Sequence, residues 1–401
     1  MEVGMDNDAR LLALSRAFSP SAPIDQRSLF SGRISQLMDV MNAVAQKGQH
    51  AILFGERGVG KTSLARVIST ISQGSETTVA SVNCDPTTTF DSLWRKIARE
   101  IPIATSKGGI GFTAGTSHQV SSLANHLPET VTPDDIRHLF SRLRKILIVI
   151  DEFDRITDGE TSTLMADTVK TLSDHAVDTT LLLVGVADSV EVLISEHQSV
   201  ERALIQIRMP RMSRVELNDI VEGGLKKANM TISVEARQKI AALSQGLPHY
   251  THLLAQNAAQ RAAITGRSEV NAADVRAAID NALAKAQQST IGIYHKATNS
   301  PRENLYPQVL LACAMAEQDN LGYFAAVDIR APLSKIMGKA YDIPAFSQHL
   351  NAFCDPGRGP VLQRTGSARR YRFRFINPLL QPYVLMNGIK RQLIKETDIP
   401  V

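Results

Sequence analysis

Residues 55–62 read GERGVGKT, a fit to GxxxxGK(S/T). The residue types at these positions suit one task, holding a chain of phosphates. Gly55, Gly58 and Gly60 allow successive backbone N–H groups to curl inward around an anion. Glu56, Arg57 and Val59 complete the loop. A helix starting where the loop ends would add the positive pole of its N-terminus. Lys61 would set a point charge against the β- and γ-phosphates and Thr62 a hydroxyl against Mg2+, with Ser63 following in the same turn. A second group lies further along the chain, where ILIVIDEFDR ends an apolar run in Asp151 and Glu152. The first carboxylate can hold Mg2+ through water, and the second can polarise an attacking water as a general base. An acidic turn after a strand is common by itself. One that closes the most apolar strand of a chain with a phosphate loop is not. Asp154 and Arg155 read as surface or interface residues. The chemistry predicted is Mg2+-dependent binding and hydrolysis of a nucleoside triphosphate.

These groups work only if strands and helices place them. HAILF forms a short strand directly before the loop, and KTSLARVISTIS is helical until Gly74. TTVASVNC, ILIVI, LLLVGV and IQIRM read as further strands, and the continuous apolar runs match a parallel sheet covered on both faces. TTFDSLWRKIAREI and PDDIRHLFSRL are helices, as is GRISQLMDVMNAVAQKG, with Ile34, Leu37, Met38, Met41 and Val44 on one face. Strands alternating with helices predict an α/β domain. Residues 105–132, rich in Gly, Ser and Thr, read as an inserted loop or hairpin. Residues 214–286 then read as helices only, with Ser213, Ser233 and Asn271 as N-caps. The predicted layout is a flexible segment (1–27), an α/β nucleotide domain (28–212), a helical lid (213–288), a polar linker (289–302), a C-terminal unit (303–390) and a tail (391–401). In the C-terminal unit one helix, a helix–turn–helix and the basic hairpin GPVLQRTGSARRYRFRFINP follow in order, a winged-helix pattern.

Composition narrows the context. Of 401 residues, 43% are apolar and 21% charged, ordinary for a globular chain. No apolar run approaches the ~20 residues that span a bilayer. The polar, acidic start is unlike a secretory signal. Cys84, Cys313 and Cys354 lie far apart in no ligand spacing, which fits thiols in a reducing compartment. A cytoplasmic protein without membrane contact is expected. Net charge is +4, but residues 301–401 hold 13 Lys+Arg against 8 Asp+Glu, leaving 31 against 32 elsewhere. That asymmetry points the C-terminal part at an anionic partner.

Together these stretches resemble the AAA+ ATPases, and more narrowly the branch of origin-recognition/initiator proteins and the related STAND signalling ATPases. The resemblance spans about residues 28–265 and extends over 303–388. It implies an α/β P-loop NTPase sheet, an all-α lid and a small α+β winged-helix domain, with ATP and Mg2+ as ligands. LFSGR at 29–33 resembles the branch's N-terminal motif that packs on adenine, which implicates Phe30, Gly32 and Arg33. LLLVGVADS is similar to a sensor-1 strand, with Asp188 or Ser189 set to watch the γ-phosphate and Asp188 favoured. Asn83 matches the polar residue that in similar ATPases restrains the catalytic glutamate. SVERALIQIRMPRMS resembles the segment bearing an arginine finger. Arg202 fits best, with Arg208 and Arg211 as alternatives, and a finger reaching the next subunit implies a homo-oligomer. GLPHY departs from the initiator pattern. His249 stands where a sensor-2 arginine is found, while Pro248 is similar to the STAND proline that contacts the base. A neutral histidine is a weak phosphate ligand, so slow hydrolysis or a switch-like role gains weight. In the winged-helix reading, Ser347, Gln348 and Asn351 face a DNA major groove, and Arg364, Arg369 and Arg370 hold phosphates. The alternative is that the same unit docks a protein effector.

Overall fold

A computed structural model describes residues 6–19, 33–75, 77–107, 117–186, 198–300, 304–319, 321–367 and 370–399. In chain order, α1 (Asn7–Ala17) and α2 (Ile34–Ala45) precede β1 (His50–Phe54) and α3 (Lys61–Gln73). Then come β2 (Thr78–Asn83), α4 (Phe90–Arg99), β3 (Pro102–Lys107), β4 (Ser117–Ser122), α5 (Pro133–Phe140), β5 (Ile146–Asp151), α6 (Gly159–Asp174), β6 (Thr179–Gly185) and β7 (Leu204–Arg208). Five of these strands form one parallel sheet in the order β2–β5–β6–β1–β7. The chain has an α/β fold built on one parallel sheet, as the strand–helix alternation predicts.

Burial on both faces explains why the central strands β1, β5 and β6 are almost wholly apolar. Ile52, Ile148, Ile150, Leu181 and Leu183 point to the side covered by α4, α5 and α6, where Trp94 packs edge-on against Phe90 and Phe140. Ala51, Leu53, Leu147, Val149 and Leu182 point the other way, against Val40, Leu64 and Ile68 of α2 and α3. Register brings the carboxyl ends together. Asn83 pairs with Asp151, and Phe54 pairs with both Gly185 and Arg208. One edge of the sheet therefore carries the phosphate loop, the acidic pair and the end of β7. β3 and β4 stand apart from this sheet as an antiparallel pair.

The helical region comprises α7 (Arg214–Lys227), α8 (Val234–Ser244), α9 (Pro248–Ile264) and α10 (Ala272–Ala284), with a two-residue parallel bridge between β8 (Thr231–Ile232) and β9 (Glu269–Val270). Ser213 and Asn271 close reciprocal capping boxes with Glu216 and Asp274, and Ser233 caps α8. The C-terminal unit contains α12 (Tyr306–Met315), β10 (Phe324–Ala325), α13 (Arg330–Met337), α14 (Ile343–Phe353), β11 (Leu362–Thr365), β12 (Arg372–Phe375) and α15 (Leu380–Lys390), after α11 (Gln288–Thr298). Its three strands are antiparallel in the order β10–β12–β11, and Phe324, Phe373 and Phe375 fill the space beneath them.

Three boundary expectations need correction. Within the supposedly flexible 1–27, residues 7–17 form a helix. Leu14, Ala17 and Phe18 are buried against α7 and α9, and the Phe18 ring lies where a side chain at Gly224 would be. The supposed linker 289–302 is largely α11, anchored by Tyr294 against Tyr383 at 5.5 Å. The tail also folds back. Ile394 and Ile399 are buried, and Glu396 meets Lys239 at 2.7 Å and Arg276 at 2.8 Å. In each case a few apolar residues sit among many polar ones, and the surface that covers them lies far away in sequence.

Candidate nucleotide site

The phosphate loop spans the gap between β1 and α3 at the carboxyl edge of the sheet. Gly55 is required by close approach, because a side chain there would overlap the Met209 carbonyl of the chain leaving β7. Met209 N–H donates to the Phe54 carbonyl at 2.7 Å. Gly60 has φ 98° and turns the loop into α3, a conformation that L side chains resist. Val59 is fully buried and anchors the loop among Leu53, Leu64 and Leu247. Lys61 sits at the mouth. Its Nζ donates to the Gly55 carbonyl at 2.9 Å and the Glu56 carbonyl at 2.8 Å. Burial lowers its pKa from 10.5 to about 8, and the charges of Asp154 and then Asp151 oppose that fall. Thr62 and Ser63, both part-buried, follow on the first turn of α3.

Asp151 is 8% exposed, and its Oδ1 accepts the Glu152 N–H at 2.8 Å. Glu152 itself is left-handed, with φ 55°, which turns the chain sharply off β5. Its Oε2 accepts from Arg155 Nη1 at 3.0 Å, with both side chains nearly half exposed. Among the described contacts, Arg155 and not Asn83 holds the glutamate. Asn83 stands exposed opposite Asp151 in register. Arg155 and Asp154, read from sequence as surface or interface residues, both bear on the site. The charges of Asp151 and Asp154 act on Lys61 at the loop, and the hydroxyl of Thr62 and the carboxylate of Asp151 are oxygen donors of the kind that Mg2+ takes. Among the described residues no three His, Cys, Asp or Glu side chains converge on one point. Thr62 and Asp151 could therefore hold the ion only with oxygens supplied by a phosphate, as Mg2+ commonly is held.

The helical region meets the loop at the start of α9. Gln245 (φ 50°) and Gly246 (φ 76°) form a left-handed turn, and Met212 N–H donates to the Gly246 carbonyl at 2.9 Å. Pro248 opens α9 with its Cγ 3.9 Å from where a Gly60 side chain would begin. His249 stacks edge-on to Tyr250 at 5.1 Å. Arg33 is buried, donates to the Pro210 carbonyl and pairs with Glu216 at 3.8 Å. It thus fastens the start of α2 to the junction between sheet and helices. Phe30, Gly32, Asp188 and Ser189 lie outside the described residues.

The three candidate fingers occupy different places. Arg202 is exposed in the turn before β7, at the amino edge of the sheet. Arg208 ends β7 beside Phe54 at the carboxyl edge. Arg211 is committed within the chain, which removes it as a finger in this arrangement. Its Nε and Nη2 bond both Glu56 oxygens, at 2.5 and 3.2 Å, and its Nη1 bonds Gln381 Oε1 at 2.7 Å and the Gln245 carbonyl at 3.2 Å. No local pattern announces this network, because its members lie far apart in sequence.

In the C-terminal unit, Gln348 and Asn351 are exposed on α14, while Ser347 donates to the Pro344 carbonyl at 3.3 Å. Arg364 on β11 reaches across to Asn351 Oδ1 at 2.8 Å and lies over the Tyr371 ring at 4.4 Å. Helix α14 and strand β11 thus share one polar face, and Arg370 is exposed just before β12. Arg369 lies outside the described residues. Arg372 and Arg374 are engaged elsewhere, with Asp319 at 2.9 Å and Gln363 at 2.8 Å.

Comparison with known proteins gives a coherent result. Residues 44–193 match the family described as an AAA domain. Among solved structures, the chain is similar to a Walker-type ATPase of Pyrococcus abyssi, with 14% identity and a TM-score of 0.53 over 91% of this chain and 98% of that one. It is also similar to Cdc6p from Pyrobaculum aerophilum, with 16% identity and a TM-score of 0.47 over 94% and 98%. The Aeropyrum pernix ORC2 protein, solved in ADPNP–ADP complexes, gives 15% identity and 0.48 over 94% and 98%. No curated protein matches the sequence. No helix among the described residues is long and apolar enough to cross a membrane.

Proposed function

We propose that the protein binds and hydrolyses ATP with Mg2+, and that its nucleotide state governs self-assembly and engagement of DNA, a reading supported by the match of residues 44–193 to an AAA domain. One observation carries the reading. The Lys61 ammonium is held by two carbonyls of a glycine loop, beside Asp151 and Asp154, at the carboxyl edge of a parallel sheet. When bound, Mg2+ neutralises charge on the phosphates, with Thr62 and Asp151 as its protein ligands. Lys61 turns from the loop carbonyls to the β- and γ-phosphates. Glu152 leaves Arg155 and accepts a proton from the attacking water. Pro248 lies over the loop and supplies an apolar wall. Arg202 lies at the sheet edge opposite its own loop and serves a neighbouring copy. The order helix, short strand, two helices and hairpin supports a winged helix, whose DNA face is Gln348, Asn351, Arg364, Arg369 and Arg370, with Ser347 at its margin.

A second reading has a specific observation behind it. The C-terminal unit touches the phosphate loop, with Leu379 packed on Gly58, and His249 replaces an arginine at the start of α9. A nucleotide-gated scaffold that docks a protein effector would use those features, with hydrolysis incidental. Nucleotide titration of wild type and Lys61→Ala, followed by turnover with and without duplex DNA, tests both. The first reading requires ATP binding that Lys61→Ala abolishes and turnover that DNA stimulates. Binding without stimulation favours the second, and normal ATP affinity in Lys61→Ala refutes the loop assignment.

A further inference from the structure

The C-terminal unit reaches the phosphate loop at three points. The Leu379 side chain lies 3.1 Å from where a Gly58 side chain would begin. The turn at Gly322 rests on Glu56, so closely that a side chain there would overlap the Glu56 carboxylate. Gln381, only 1% exposed, takes one arm of the Arg211 fork whose other arms grip Glu56. The orientation of Gln381 is fixed. Its Nε2 donates to the Ala314 carbonyl at 2.8 Å and to Gln245 Oε1 at 3.1 Å, so only its oxygen can face Arg211. Charge-assisted, forked bonds of this kind are both strong and directional.

We propose that Arg211 is a positioning residue that makes the shape of the phosphate loop depend on where the C-terminal unit sits. Glu56 and Gly58 belong to the loop that must close around phosphates. Arg211 couples Glu56 to Gln381 of α15 and to the turn at Gln245 before α9. Coupling of this sort is reciprocal: whatever factor docking applies to nucleotide affinity, nucleotide applies to docking. With the unit docked, the loop is braced and bound nucleotide leaves slowly.

The inference rests on the nucleotide reading for its effect, and the experiment separates the two. Full-length wild type, Gln381→Ala and Leu379→Ala are compared by hydrogen exchange and by release of mant-ADP, a fluorescent ADP analogue. Leu379→Ala removes the Gly58 contact without touching Arg211, so it guards against a folding defect in Gln381→Ala. Without nucleotide, both variants should lose protection across residues 50–66 while α12 stays protected. Mant-ADP should leave Gln381→Ala about ten-fold faster, the loss expected of one charge-assisted bond, and should leave Leu379→Ala faster than wild type by a smaller factor. In wild type, ADP should change protection of residues 379–390, and in the variants it should not; a contact that merely packs would not respond to ADP. If wild type binds mant-ADP but neither protection nor release changes in the variants, the positioning role falls and the nucleotide reading stands. If loop protection changes but wild type binds no mant-ADP, the brace stands and the nucleotide reading falls.

Discussion

Lys61 should make the empty protein less stable near neutral pH than a variant that lacks its charge. Burial lowers its pKa from 10.5 to about 8, worth about 3 kcal/mol at ~1.4 kcal/mol per pH unit. The sign follows from proton counts. Below pH 8 both folded and unfolded chains hold the proton, and the full cost of burying an ammonium is present. Between pH 8 and 10.5 the unfolded chain binds more protons than the folded one, so stability rises with pH. Above 10.5 the cost is gone. The bonds to Gly55 and Glu56 carbonyls offset part of the cost, each by about 1 kcal/mol. Lys61→Met should therefore be modestly more stable than wild type at pH 7. The difference, measured by urea unfolding of both proteins, should swing by about 3 kcal/mol in favour of wild type by pH 10.5. Other groups titrate in both chains and cancel. Bound phosphates should return the pKa to its ordinary range, so ATP binding takes up a proton above pH 8. Calorimetry at pH 8.5 in buffers of different ionisation enthalpy reads that uptake. A stability difference that stays flat with pH, together with binding that moves no proton, would refute the account of Lys61.

Glu152→Gln keeps an acceptor for Arg155 but removes the base. It should bind ATP normally, lose turnover by about a hundred-fold or more and accumulate as an assembly visible by mass photometry. Unchanged turnover would end its role. Arg202→Ala should lose hydrolysis by about a thousand-fold, as removal of a finger does, with ATP affinity intact. Mixing it with Glu152→Gln should restore some turnover if the arginine acts on a neighbour, and wild-type behaviour would move the finger to Arg208. Arg364→Ala should weaken DNA binding and reduce the slope of log affinity against log salt by about one. An unaltered slope would remove β11 from the phosphate-binding face.

What was legible in the sequence was local. The glycine loop, ILIVIDE and the capping boxes at Ser213 and Asn271 are each encoded within a few residues. What was not legible depends on contacts between distant residues. Phe18 is one apolar residue in a polar stretch, and only the gap over Gly224 gives it a place. Arg155 looks like any solvated arginine until the left-handed turn at Glu152 brings the two side chains together. Arg211 fitted a finger by position in a motif-like run. What decides otherwise is Glu56 and Gln381, 155 and 170 residues away. A motif fixes which groups are present, whereas a buried charge takes its role from whichever distant partners the fold delivers.

The sheet also explains why Arg202, unlike Arg208, could act as a finger only on a second copy. All five strands run the same way, so everything that follows a strand lies at the phosphate-loop edge and everything that precedes one lies opposite. Arg202 precedes β7, whose first residue pairs with His50 and whose last pairs with Phe54. About 13 Å of strand at ~3.3 Å per residue separates those ends, before the loop itself is counted. An extended arginine side chain does not cover that distance around a covered sheet. Arg208 lies at the correct edge but on its own molecule. If hydrolysis needs a cation on the γ-phosphate, Arg208 predicts a rate independent of protein concentration. Arg202 predicts a rate per subunit that rises steeply once neighbours associate. Dilution of wild type through the association range, with turnover followed at saturating ATP, distinguishes these outcomes. A flat profile would exclude Arg202.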